Sequence, residues 1–487
     1  MKHRQAGWLW LVACLVCVAC TEVHGDFVMY KIPGTRVTFA LQGKVQVNPG
    51  GTVTFTHPAL SQQLYFSLKT VEIKRVQTTQ QEFNRKVTSA GKDANAVYQA
   101  AVWALKKGLL KDFYSGVKKT LELNPKHEAA LNIEKLKAQM DVPLPESTEQ
   151  EQELRKIVKS KDMRIATSNH FILLHDTPEK KAEGRKKNRA QERLALLEKV
   201  YESFLLLFHA QEVDLDIPRE RMKVVLFNDH KDYLAFATGL SPSLSSASGF
   251  WEPLRNVSVF YDHASDSQFT SLQKLQKEIK QMADIAKKNR TGAEGIRFSN
   301  TLKLLIDVIQ ENADIEVVSH EATHQMAGNT GLFPRHVRIP AWVHEGLATY
   351  FEAPGDATWS GIGAVNEQRL EWYRMLERDR EHSNIDFIVG DQIFEFAASH
   401  GSKLHGYGQA WALTHFLLEN HLKEFVSYYR ILGEMPPDII MSPELLTELF
   451  DKVFGSDRKE LDQDWRAYMR SLKTDMEKLE ANELKKK

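Results

Sequence analysis

The stretch that decides the reading is Ile315-Glu316-Val317-Val318-Ser319-His320-Glu321-Ala322-Thr323-His324-Gln325-Met326-Ala327-Gly328. Ile315, Val318, Ala322 and Met326 recur at the three- and four-residue steps of one helix face, and Gly328 is a good C-terminal stop. On that helix stands the pattern H-E-x-x-H, from His320 to His324. Positions i and i+4 lie one above the other on a helix. Two imidazoles so placed can reach one metal ion at about 2.0–2.1 Å. Glu321, adjacent to the first histidine, can face a water on that ion and accept the proton that zinc makes acidic.

A five-residue pattern recurs by chance, so its weight comes from its setting. A zinc hydrolase needs a third protein ligand and an open fourth position. A histidine six residues after His324 is absent, because position 330 is Thr330, and Ala327 stands where glycine would be needed. The inverted pattern H-x-x-E-H is absent as well. A glutamate from a following helix remains. Pro340-Ala341-Trp342-Val343-His344-Glu345-Gly346-Leu347-Ala348-Thr349-Tyr350-Phe351-Glu352 supplies it. Pro340 can start a helix without losing a needed N–H, and the gap from His324 to Glu345 fits a turn that lays this helix beside the first. His344 is an alternative ligand, although it points about 100° away from Glu345.

H-E-x-x-H followed by W-x-x-E-G-x-A-x-Y-x-E resembles the gluzincin metallopeptidases, the aminopeptidase N-like and thermolysin-like enzymes among them. More closely, the stretch resembles an exported bacterial family of uncharacterised proteins in the same peptidase MA clan. Gly249-Phe250-Trp251-Glu252-Pro253 and the run from Tyr407 to Leu413 are similar too. The likeness covers roughly Met163 to Trp465. It implies one Zn²⁺ per chain on His320, His324 and Glu345, with Glu321 as general base and acid. It implies no particular substrate. Related enzymes add a downstream Tyr or His for the oxyanion, which makes Tyr407 and His405 the candidates here. Glu352, two turns beyond Glu345, and Thr349 are both options for orienting a zinc histidine.

Outward from this centre, Phe171–Leu174, Val224–Phe227 and Val257–Tyr261 read as strands. Leu194, Leu197, Tyr201, Phe204 and Phe208 form a core-facing helix stripe. The basic segment Thr177–Arg193 reads as solvated surface, and the Lys-rich stretch Ser265–Thr301 as a surface insertion. Residues 27–75 alternate like strands, with a hairpin at Asn48-Pro49-Gly50-Gly51. Residues 76–140 switch to helical periodicity and resemble one tetratricopeptide-like unit, broken at Gly108 and closed near Asn124-Pro125. Pro143 and Pro145 open a linker.

Lys+Arg and Asp+Glu are both 64. That balance argues against a protein built to bind nucleic acid or an anionic membrane. Lys2, His3 and Arg4 precede an uncharged run from Ala6 to Ala19. Such a helix would be about 21 Å long, too short for a bilayer core, so it reads as a secretory signal cleaved after Gly25. A lipid anchor at Cys20 is the second reading. Cys14, Cys17 and Cys20 are the only cysteines, which excludes a disulfide framework.

The expected fold is α+β. A zincin-like catalytic domain over 163–475, with a mixed sheet and a helical C-terminal subdomain, follows a signal (1–25), a small β module (26–75), a TPR-like helical region (76–142) and a linker (143–162). A charged tail (476–487) ends the chain. The expected function is an exported, periplasmic, cell-envelope or extracellular bacterial peptidase without a transmembrane span, acting on peptide or protein substrates. The alternative is a non-catalytic envelope assembly protein that recognises a partner through its helical region.

Overall fold

The structure is a computed structural model that describes residues 26–484, apart from 33, 34, 61, 160, 161, 183, 184, 288–291, 353, 356 and 438. The expected signal, with its cleavage site and the anchor at Cys20, lies outside the described residues.

Strands β1 (Asp26–Lys31), β2 (Thr38–Val47), β3 (Thr52–Thr56), β4 (Gln63–Ser67) and β5 (Val71–Lys74) form one antiparallel sheet in the order β4-β3-β2-β1-β5. Gly50 and Gly51 both take positive φ at the β2–β3 turn, where a side chain would be strained. The turn sets Val47 opposite Val53 and Val45 opposite Phe55.

Helices α1 (Thr79–Ala90), α2 (Ala94–Lys106), α3 (Leu110–Leu123), α4 (Glu128–Met140) and α5 (Thr148–Val158) follow. The chain reverses at Gly108, and α3 ends at its cap Asn124. A Cβ on Gly116 would lie 2.6 Å from that of Ala101, so glycine lets α2 and α3 cross closely. Their inward residues, Ala101, Leu105, Phe113 and Val117, belong to the main core. The expected linker is in large part helix: Ser147 caps α5 and Leu154 is buried. Glutamate and glutamine there favour a helix as readily as a linker.

The central sheet is built from β6 (Arg164–Thr167), β7 (Phe171–His175), β8 (Met222–Phe227), β9 (Gly249–Glu252) and β10 (Val257–Tyr261), in the order β6-β7-β8-β10-β9. The inner strands β7, β8 and β10 run parallel; β6 and β9 are antiparallel edges. Helices α6 (Arg189–His209) and α7 (His230–Leu240) connect them. Side chains alternate across a strand. Phe171, Leu173, Val224 and Leu226 therefore meet α6, while Ile172, Leu174 and Val225 meet α5 and α7.

α8 (Ser267–Lys287) and α9 (Ala293–Ala327) form a helical hairpin. The expected surface insertion is thus α8 and the start of α9, which runs 35 residues without interruption. Its early part meets the N-terminal sheet through Leu304, and its late part packs on the α6 side of the central sheet through Ile315, Val318 and Ala322.

The basic segment also departs from expectation. Lys180, Lys181, Lys186 and Lys187 are exposed, but Arg189 and Arg193 are drawn inward. Arg193 lies 3.0 Å from Glu311 and 2.5 Å from Asp314. Arg189 reaches Glu311 at 2.8 Å and grips Asp262 with two nitrogens. The Glu311 and Asp314 pairs tie α6 to α9, and the Asp262 pair ties it to the end of β10.

The remainder is helical apart from the short pair β11 (Pro354–Gly355) and β12 (Thr358–Trp359). It comprises α10 (Ala341–Phe351), α11 (Glu367–Leu376), α12 (Ile385–Val389), α13 (Ile393–Ser399), α14 (Leu404–Asn420), α15 (Leu422–Gly433), α16 (Pro443–Phe454), α17 (Arg458–Ser471) and α18 (Asp475–Leu484). The expected charged tail is mostly α18, held by Glu477 on Arg374 at 2.7 Å and by buried Leu479. Among the described residues, no helix is long and apolar enough to cross a membrane.

Candidate metal centre

The last two turns of α9 carry His320 and His324, and α10 brings Glu345 against them. The two Nε2 atoms face each other 3.0 Å apart. Glu345 Oε2 lies 3.1 Å from that of His320 and 3.7 Å from that of His324. Among the described residues this is the one such cluster of possible metal ligands. Two contacts fix α10 in place. Asp391 accepts the free N–H groups of Ala341 and Trp342, at 2.9 and 3.0 Å, and Gly346 lets the helix lie directly on α14.

The donor set fits a zinc ion. Ligands about 2.0–2.1 Å from a tetrahedral ion stand about 3.3 Å from one another, and the three separations above bracket that value. Glu345 Oε2 is buried and makes no hydrogen bond, although it points at two imidazoles. Burial alone would lower the His320 pKa, but Glu345 and Glu352 raise it well above the usual histidine value. Burial and the neighbouring His344 push His324 down to about 3. Burial alone would raise the Glu345 carboxyl, but its histidine neighbours hold it well below the usual range.

Of the two options for orienting a histidine, the structure uses Glu352. Its Oε1 lies 2.5 Å from His320 Nδ1; since an ionised carboxylate only accepts, Nδ1–H donates and Nε2 is aimed at the centre. Thr349 instead bonds back to the carbonyls of Glu345 and Gly346. His344 does not join the ligand cluster. Its ring stacks on His324, with centroids 3.7 Å apart, and Trp251 lies parallel to both rings.

Glu321 is 7% exposed. Burial raises its carboxyl to about 7; His320 opposes that rise, Glu345 adds to it, and the Trp251 backbone N–H opposes it by hydrogen bonding. A carboxyl poised there can both take and return a proton near neutral pH. Glycine at 249 permits the approach, because a Cβ would lie 2.5 Å from Val317 Cγ1 and 3.3 Å from Glu321 Cγ.

The two downstream candidates separate. The Tyr407 ring stands 6.4 Å from that of His320, edge-on to Phe394 at 5.1 Å. Glu345, and then burial, raises its phenol pKa. His405 lies two residues earlier, about 200° round the helix, and packs edge-on against Trp372 at 4.8 Å. Sequence reasoning missed Arg369. Its Nε donates to Glu352 Oε2 at 2.8 Å and its Nη2 to Glu316 Oε1 at 2.7 Å. Only the fold brings it to the site, since no short spacing links it to His320.

The fold and site define a mixed α/β protein with a two-histidine, one-glutamate candidate metal centre. Residues 314–438, about a quarter of the chain, are similar to a family described as "Protein of unknown function (DUF1570)". No curated protein and no solved structure matches the chain.

Proposed function

We propose that the chain is a zinc-dependent peptidase of gluzincin type, with a zincin-like catalytic domain, exported under the direction of residues 1–25. The observation that carries this reading is the convergence of His320, His324 and Glu345 beside the buried Glu321. When bound, zinc would polarise the scissile carbonyl and acidify the attacking water. Glu321 takes the proton of that water and returns it to the leaving amine. The Tyr407 hydroxyl donates to the developing oxyanion. Glu352 holds the His320 ring in the tautomer that offers Nε2 to the metal. β9 is an edge strand beside α9, and an unpaired strand edge is where an extended peptide substrate could be held by main-chain hydrogen bonds.

The test is metal content of purified residues 26–487 by elemental mass spectrometry, beside His320→Ala and Glu345→Ala. About one zinc per chain, lost or much weakened in both variants, is the expected result. A folded wild-type protein that takes up no supplied zinc would overturn the reading in favour of the assembly protein, with α1–α4 as its recognition region.

A further inference from the structure

Arg369 lies in the first turn of α11, 5% exposed, where the buried Glu352 carboxylate, the half-buried Glu316 carboxylate and a tyrosine ring meet it. Its Nε donates to Glu352 Oε2, and its Nη2 stands 2.8 Å from the same oxygen. That leaves Glu352 Oε1 to the His320 Nδ1–H alone. The same Nη2 donates to Glu316, one turn before His320 on α9. The guanidinium carbon lies 5.3 Å from the centroid of the Tyr407 ring. The helix start is anchored at the same point, since Asn366 caps α11 and its Nδ2 donates to the Glu352 carbonyl at 3.3 Å. A carboxylate free to rotate could turn either oxygen, or neither, to the imidazole. A forked donor on its far oxygen removes that freedom.

We propose that Arg369 is a positioning residue for the candidate centre: it locks the Glu352 carboxylate and, through it, the orientation of the His320 ring. Its consequence for zinc rests on the peptidase reading; its consequence for the ring does not.

Two readouts on residues 26–487 keep these apart. The first is the His320 Nδ1–H resonance in ¹⁵N-histidine spectra of the zinc-free protein, assigned with His320→Gln. The second is the zinc dissociation constant from chelator competition. Arg369→Gln should lose or broaden the resonance and weaken zinc by about 10- to 100-fold. Glu316→Gln, which removes only the charge of the second acceptor and leaves the Nε bond to Glu352, should keep the resonance and bind zinc within about threefold of wild type. Arg369→Lys keeps the charge without the fork and should weaken zinc by about three- to tenfold. It decides the matter if Arg369→Gln does not fold. A wild-type resonance in Arg369→Gln, wild-type zinc affinity in Arg369→Lys, or an equal loss in Glu316→Gln would each overturn the proposal. A wild-type protein that binds no zinc would sink the peptidase reading, and the resonance alone would then judge Arg369.

Discussion

Gly346 on α10 faces Thr414 on α14 so closely that a Cβ there would lie 2.1 Å from Thr414 Oγ1 and 2.8 Å from the Ala410 carbonyl. The glycine after Glu345 is therefore a packing requirement that sets how near the glutamate comes to the histidines. Gly346→Ala should destabilise the protein by roughly 1–3 kcal/mol through overpacking and weaken zinc. Denaturant titration and chelator competition read the two effects. Adding Thr414→Ala should recover only part of the stability, because the backbone carbonyl stays in place.

Glu321 makes no ligand contact in the candidate centre, so its removal should separate binding from turnover. Glu321→Gln is expected to keep about one zinc per chain and to lose roughly 100- to 10,000-fold in kcat on any peptide the wild type cleaves. Undiminished cleavage by this variant would remove Glu321 from the mechanism.

Tyr407 and His405 share a helix but not a place. Tyr407→Phe should lower kcat by about 100-fold or more, as for the loss of an oxyanion donor, with KM little changed. His405→Gln, on the Trp372 side, should stay within about threefold of wild type. The opposite ranking would move the oxyanion role to the histidine.

The ion pairs between α6 and α9 give stability a defined pH dependence. Burial alone would raise the Glu311 carboxyl, but Arg193 and Arg189 outweigh it and hold it at about 2. A carboxyl depressed on folding stabilises fully above its unfolded value of about 4.5, and that contribution is lost as pH falls from there to about 2. The linked stability is on the order of 3 kcal/mol. Melting temperature should fall steeply across that window. Glu311→Gln should melt lower at pH 7 and show a shallower fall below pH 4.5.

Much of the site was legible because it is local. The H-E-x-x-H spacing, the helix stop at Gly328 and the Pro340 start place His320, His324 and Glu345 within one stretch of the chain. β7 and β8 were legible as apolar runs, since both of their faces are covered, and β10 by the alternation of Val257, Val259 and Tyr261. What escaped reading depends on distant partners. Arg189 and Arg193 looked like surface because Glu311 and Asp314 lie more than a hundred residues away. α8 and the first turns of α9 looked like polar insertion because their contact is partly polar: Gln276 donates to Ser299. Arg369 had no local signature at all.

The unbroken run of α9 imposes a spacing rule on the chain. Leu304 sits in the core of the N-terminal sheet and His320 at the candidate centre, on one rigid helix. Each residue turns a helix by about 100°. A single insertion between them would swing one end a quarter-turn out of phase with the other, whatever its side chain. Seven inserted residues would restore the phase and merely lengthen the rod by about 10 Å. The sixteen-residue interval from Leu304 to His320, about 4.4 turns, can thus change length in phase only by whole turns, even where its side chains are free to vary.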